Sequence, residues 1–200
     1  MTAYKVRGFT LIESVVAIVV LGISMTVLVT TLYPRIENSA SSHYQVRASA
    51  LAQSMMTEIL SRSFDQHSDH NGGIARCGEV GQDACTAASD FGPDDTNNDG
   101  NIDEQVAQFN DVDDYIGCWY TASTQSACTQ TQAGTISDVL GKTNADAYKN
   151  FRVEVVVEYD NSSGLLEGQT ATDKVFKKIV LTIFPGKYGE YRFVAYRGNY

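Results

Sequence analysis

Polarity along the chain falls into three regimes. Residues 14–34 hold no charged side chain, a run of 21 residues. As a helix rising about 1.5 Å per residue, such a run is ~30 Å long, enough to cross a bilayer core. Next, over 37–63, apolar residues return every third or fourth position. Tyr44, Ala48, Leu51, Met55 and Ile59 form a stripe, Arg62 continues it, and Met56 and Leu60 widen it. That spacing predicts an amphipathic helix whose apolar face packs on a sheet. Pro34, between the two stretches, predicts a kink or a local interruption. The third regime has a period of two. Phe151, Val153, Val155, Val157 and Tyr159 alternate with polar residues. Residues 175–184 and 190–197 read as two further strands, with turns at 161–164 and at Pro185-Gly186. Three adjacent strands predict an antiparallel meander with one face for the long helix. YIGCWY, 115–120, is a shorter strand candidate. Lys177 and Lys178 are expected at exposed positions. The fold class is therefore α+β: a long N-terminal helix on a small antiparallel sheet.

Charge separates the middle of the chain from both ends. The formal net charge is −9. Residues 77–141 hold twelve Asp/Glu and no Lys or Arg, whereas 142–200 hold nine basic and seven acidic residues. An acidic chain without clustered Lys/Arg argues against a nucleic-acid partner. The acidic stretch is rich in Gly, Asp, Asn, Ser and Thr and has little periodicity. Long surface loops closed by disulfides are expected there rather than packed core. Four cysteines, Cys77, Cys85, Cys118 and Cys128, suggest two disulfides in an oxidising compartment. Three pairings are possible; short spacing favours Cys77 with Cys85 and Cys118 with Cys128.

The apolar run has the features of an anchor. Lys5 and Arg7 precede it, which keeps the N-terminus cytoplasmic and places the following domain outside. No A-x-A-like cleavage site follows it, as one would after a secretory signal peptide. Glu13 stands at its mouth. A carboxylate there is costly unless it meets a partner. Cleavage after Gly8 would give Phe9 a new α-amino group four residues before Glu13, and such an amine could neutralise the acid.

With these residues in register, K-V-R-G-F-T-L-I-E-S (5–14) resembles the class III signal of type IV pilins and pseudopilins. The resemblance implies that a prepilin peptidase removes the leader 1–8 after Gly8, that Phe9 is N-methylated, and that Glu13 docks on a neighbouring subunit's N-terminus. It implies a pilin-like division: a membrane and later filament-core helix at 9–34, an amphipathic helix at 35–63, and a periplasmic domain at 64–200. Within that domain 64–150 is loop-rich and acidic, and 151–200 forms strands. The partners implied are other pilin subunits, the prepilin peptidase and the inner-membrane pilus assembly machinery. The expected location is the inner membrane, single-pass, and then a surface pilus filament. Softer features, LAQSMM (51–56), DVDDYIG (111–117) and Y-x-N-F-x-V-x-V (148–155), are similar to the minor pilins of the mannose-sensitive haemagglutinin (MSHA) pilus, the MshD type. A type II secretion pseudopilin shares the same anchor.

One acidic stretch suggests a ligand. Asp95, Asn97, Asp99, Gly100 and Asp103 have the spacing D-x-N-x-D-G-x-x-D, the first part of an EF-hand-type calcium loop. Alternate oxygens would converge on Ca2+, Gly100 would permit the turn, the Asn101 carbonyl would add a ligand, and Ile102 would point inward. The twelfth position is Val106 rather than Glu. Glu104 comes two residues early, and Asp111, Asp113 or Asp114 could complete the set. A solvated acidic loop is the alternative. A calcium-dependent, membrane-anchored adhesin is a second functional class. His67 and His70 sit in a Gly- and Asn-rich segment unsuited to a fixed metal site. No nucleophile–base arrangement, phosphate-binding Gly loop or H-E-x-x-H is present, so catalysis is not expected.

Overall fold

The computed structural model describes residues 8–69, 76–97, 99–141, 146–160 and 176–199. The leader 1–7, His70, the 161–164 turn and Val175 lie outside the described residues. The chain divides into two compact units, Met1–His43 and Tyr44–Tyr200.

Helix α1 spans Leu11–Leu60. Its backbone stays helical through Pro34, so the predicted interruption does not occur. A proline deletes one ladder bond, and the neighbouring turns retain theirs. In the first unit, Leu11–Leu32 is long and apolar enough to cross a membrane. Its large side chains are exposed all round, as Leu11, Ile18 and Leu21 illustrate. Ser24, Thr26, Thr30 and Thr31 donate their hydroxyls to carbonyls four residues back, at 2.8 to 2.9 Å. These polar side chains are satisfied without leaving the helix, which an apolar medium requires.

The second unit holds a five-stranded sheet in the order β2-β1-β3-β4-β5. The strands are β1 Gly117–Tyr120, β2 Gln132–Thr135, β3 Phe151–Tyr159, β4 Phe176–Pro185 and β5 Tyr191–Gly198. The predicted meander is β3-β4-β5, paired antiparallel throughout. The sheet as a whole is mixed, not antiparallel, because β1 pairs with β2 in parallel. A parallel neighbour needs a connection that brings the chain back to the starting end. Residues 121–131 provide one, and the Cys118–Cys128 disulfide ties it.

The predicted helical stripe is the core face. Ala48, Leu51, Ala52, Met55 and Ile59 are buried against Trp119, Val153, Val155, Ile179, Leu181 and Ile183. The register sets Val153 beside Ile183, Val155 beside Leu181 and Val157 beside Ile179. Each of these large side chains gains roughly 1.5–3 kcal/mol from leaving water. The acidic region is loop-rich and closed by two disulfides, as expected, but it also sends side chains into this core. Phe109, Val112, Tyr115, Trp119 and Ile136 are all buried. Their spacing follows neither helix nor strand period, because each is presented by a turn or a very short element. Ile136 opens helix α2, Ile136–Leu140, whose Thr135 and Asp138 form a capping box.

Candidate functional site

Three places carry the sequence-predicted chemistry or depart from it. The first is the helix entrance. Gly8 and Phe9 precede α1, and Phe9 is 79% exposed. Glu13 lies in the first turn and is not left without partners. The Thr10 backbone N–H and hydroxyl lie 3.5 Å from Glu13 Oε2, and the Glu13 N–H donates to Thr10 Oγ1 at 3.4 Å. This reciprocal arrangement is a capping box, and a carboxylate at a helix N-terminus also faces the positive end of the dipole. The signal was T-x-x-E, residues 10–13. Glu13 therefore has partners within its own helical turn.

The second place is the acidic loop. Gly100 has φ +89°, the positive value that a sharp turn asks of glycine. The proposed ligand side chains are turned onto the loop itself. Asp95 accepts the N–H groups of Asp99 (3.2 Å) and Gly100 (2.6 Å). Asn97 Oδ1 accepts the Asp99 N–H at 2.9 Å, and Asp99 Oδ1 accepts the N–H and side-chain amide of Asn101 at 2.9 Å. Asp103 accepts from Thr96 and Asn97. Hydrogen bonds from Asn101 and Thr96 hold Asp99 and Asp103 below the ordinary carboxylate range. Ile102 does not point inward; it is 71% exposed. Phe91, Val106 and Phe109 pack on the core in its place, which is why the hydrophobic Val106 stands where a bidentate acid was sought.

The structure gathers another trio. Asp94, Glu104 and Asp114 bring one carboxylate oxygen each within 4.8 Å of one another. Backbone donors fix two of them: Asp94 N–H on Glu104 Oε2 at 2.9 Å, and the Asn110 and Asp111 N–H groups on Asp114 Oδ2 at 2.8 and 3.0 Å. Burial raises Asp94 and Glu104 and pushes Asp114 up to about 7. Such a cluster is suited to holding a proton or a cation.

The third place contradicts the expectation for a lysine in a strand. Lys177 is not exposed but fully buried. Its Nζ contacts Asp113 and lies 3.3 Å from Asp65 Oδ2. The rings of Phe64, Phe91 and Tyr159 surround it at 4.9, 4.7 and 5.8 Å. The signal was present in the strand period. Lys177 shares a face with Ile179, Leu181 and Ile183, the inner face of β4. Lys178 points the other way and pairs with Glu158 at 2.7 Å. Asp65 also accepts from the Thr86 and His67 N–H groups at 2.9 and 3.1 Å. Burial works to raise Asp65, but the Lys177 charge and these donors outweigh it and lower its pKa. Asp111, also buried, is pushed up to about 9 by burial and by the Asp113 charge beside it. The DVDDYIG stretch thus supplies Asp111 and Asp113 to this cluster, Asp114 to the trio and Tyr115 to the core.

The disulfides pair Cys77 with Cys85 and Cys118 with Cys128. The first sits with Phe64 in a small cluster of its own, against Tyr159. No curated protein and no solved structure matches the chain. Residues 4–29 match the family model described as the prokaryotic N-terminal methylation motif. The matched residues include Gly8, Phe9, Glu13 and most of the exposed apolar run. Such a motif implies processing by a prepilin peptidase and assembly with other pilins in a membrane machinery. At its N-terminus the chain carries the class III signal of type IV pilin-like proteins.

Proposed function

We propose that the protein is a minor pilin of a type IV pilus of the MSHA kind, with a structural rather than catalytic role. One observation carries this reading: the methylation motif opens directly onto an apolar helix whose large side chains are exposed all round. A surface of that kind needs an apolar partner, first lipid and then the helices of neighbouring subunits. The helix is held in the inner membrane with its N-terminus cytoplasmic and its domain periplasmic. On extraction, apolar burial drives packing into the filament, and Glu13 exchanges its local cap for a neighbour's N-terminal amine. The MSHA assignment rests on the resemblance of LAQSMM and DVDDYIG to minor pilins of that pilus; both stretches contribute residues to the domain's core. A place at the filament tip, with a role in adhesion, fits an acidic surface loop.

The test is to purify surface filaments and probe for this chain, with N-terminal sequencing of what is found. A mature chain that begins at methylated Phe9 and co-purifies with pili supports the reading. Absence from pili, with a secretion defect on deletion, would instead assign it as a type II secretion pseudopilin. For the loop, Asp95, Asn97, Asp99, Asn101 and Asp103 are proposed to turn from their own amides onto Ca2+. Calorimetry with calcium checks this, and no heat of binding would refute it. Adhesion unchanged by a chelator would remove the calcium-dependent adhesin.

A further inference from the structure

We propose that Lys177 and Asp113 become joined by an amide bond between Lys177 Nζ and Asp113 Cγ, formed within the folded domain with loss of one water. The geometry supplies every element that such a condensation needs. The amine and the carboxyl are in contact, on elements 64 residues apart in sequence. Lys177 is on β4, and Asp113 begins the 3-10 turn Asp113–Tyr115. Both side chains are buried, at 0% and 2% exposure, so competing water is excluded. Three aromatic rings pack around the amine.

Two further carboxyl groups flank the pair, Asp65 at the amine and Asp111 at the carboxyl. Asp65 Oδ2 is 3.3 Å from Lys177 Nζ and is positioned to take a proton from it. The Asp111 carboxyl hydrogen-bonds the Asp113 side chain and is held by the Gln66 and Asp113 N–H groups at 2.8 and 2.9 Å. Burial keeps Asp111 protonated, as an acid must be to polarise the Asp113 carbonyl. A base on the nucleophile and an acid on the electrophile are the two aids that amide formation calls for.

The step balances without a co-reactant. The Lys177 ammonium gives one proton to Asp65. The freed amine attacks Asp113 Cγ while Asp111 protonates the carboxyl oxygen. In the tetrahedral intermediate the attacking nitrogen gives its surplus proton back to Asp111, Asp65 passes its proton to the departing hydroxyl, and the C–O bond breaks with the oxygen leaving as water. That water carries one oxygen and two hydrogens from the original ammonium–carboxylate pair. Asp65 and Asp111 return to their starting states, and the new amide N–H still faces Asp65 Oδ2. Two charges leave the interior, which favours the product, because a buried ion pair bears a large desolvation cost. The bond would clamp the acidic region to the strand meander, independently of the two disulfides.

Mass spectrometry of the mature full-length protein, extracted in detergent with its disulfides reduced and alkylated, tests this. The expected result is a chain one water lighter than its sequence, with a tryptic digest giving a branched peptide that links Lys177 to Asp113. Lys177→Arg keeps a buried cation but cannot form the amide, and should restore the full mass. Asp111→Asn and Asp65→Asn should each leave a measurable uncrosslinked fraction; complete crosslinking in either would overturn the role of that residue. Wild-type protein at full mass, with only linear peptides covering Lys177 and Asp113, would overturn the proposal. A lost water located at another residue pair would do the same.

Discussion

Gly117→Ala isolates the contact that sets the mixed sheet. Gly117 opens β1 with φ +125°, a conformation costing a residue with a Cβ ~1–3 kcal/mol. A Cβ there would also meet the Thr131 carbonyl oxygen at 2.7 Å and the Ala133 Cβ at 3.0 Å. That carbonyl already accepts the Cys118 N–H at 2.7 Å. Relieving the clash moves β1 away from the segment leading into β2 and sacrifices this bond, adding ~1 kcal/mol. The combined loss is about 2–4 kcal/mol. For a chain of this size that lowers Tm by roughly 5–15 °C. The assay is thermal unfolding in detergent, followed by near-ultraviolet circular dichroism of Trp119, the neighbour of Cys118 in β1. Gly81→Ala is the control. Gly81 has φ +87°, but no atom lies within 4 Å of the place a Cβ would take, so it carries conformational strain alone. Equal losses in the two variants would refute the role of the Thr131 contact.

Gly8→Ala should leave the chain largely unprocessed, read as the retained leader by mass; normal cleavage would count against the signal. Glu13→Ala should insert and be processed yet enter filaments poorly, measured by its share in purified pili. Met55→Ala, at a fully buried position beneath the sheet, should cost ~2–5 kcal/mol in equilibrium denaturation, and a loss under about 1 kcal/mol would mean the site collapses freely. The Asp114 carboxyl titrates at about 7 in the folded state, well above its ordinary value, so the folded state binds its proton more tightly than the unfolded state does. Its contribution is full below pH ~4 and is lost as pH rises toward 7. Asp114→Asn, whose amide oxygen can accept the same two backbone N–H groups, should flatten stability over that window; an unchanged slope would place the effect elsewhere.

The periodic parts of the protein are written in its sequence. An uncharged run of bilayer length, a stripe at helical spacing and three alternating strands each repeat one instruction many times, so a local reading suffices. The motif at Gly8, Phe9 and Glu13 was legible for a related reason: its residues are close together in the chain. Whatever depends on single residues meeting across distance had to wait for the fold. Phe109, Val112, Tyr115 and Ile136 join the core from turns, and no local period marks them. The parallel β1–β2 pair depends on a return path and on Gly117. Ile102 stays outside because Phe91, Val106 and Phe109 pack the core beside the loop. Lys177 shows the boundary most sharply. Its phase in β4 declared the inner face, and its charge argued for water. Burial became tolerable only because Asp65, from just beyond α1, and Asp113, from before β1, are carried to the same point. Charge compensation in an interior is a property of three-dimensional neighbours, and no stretch of chain holds it alone.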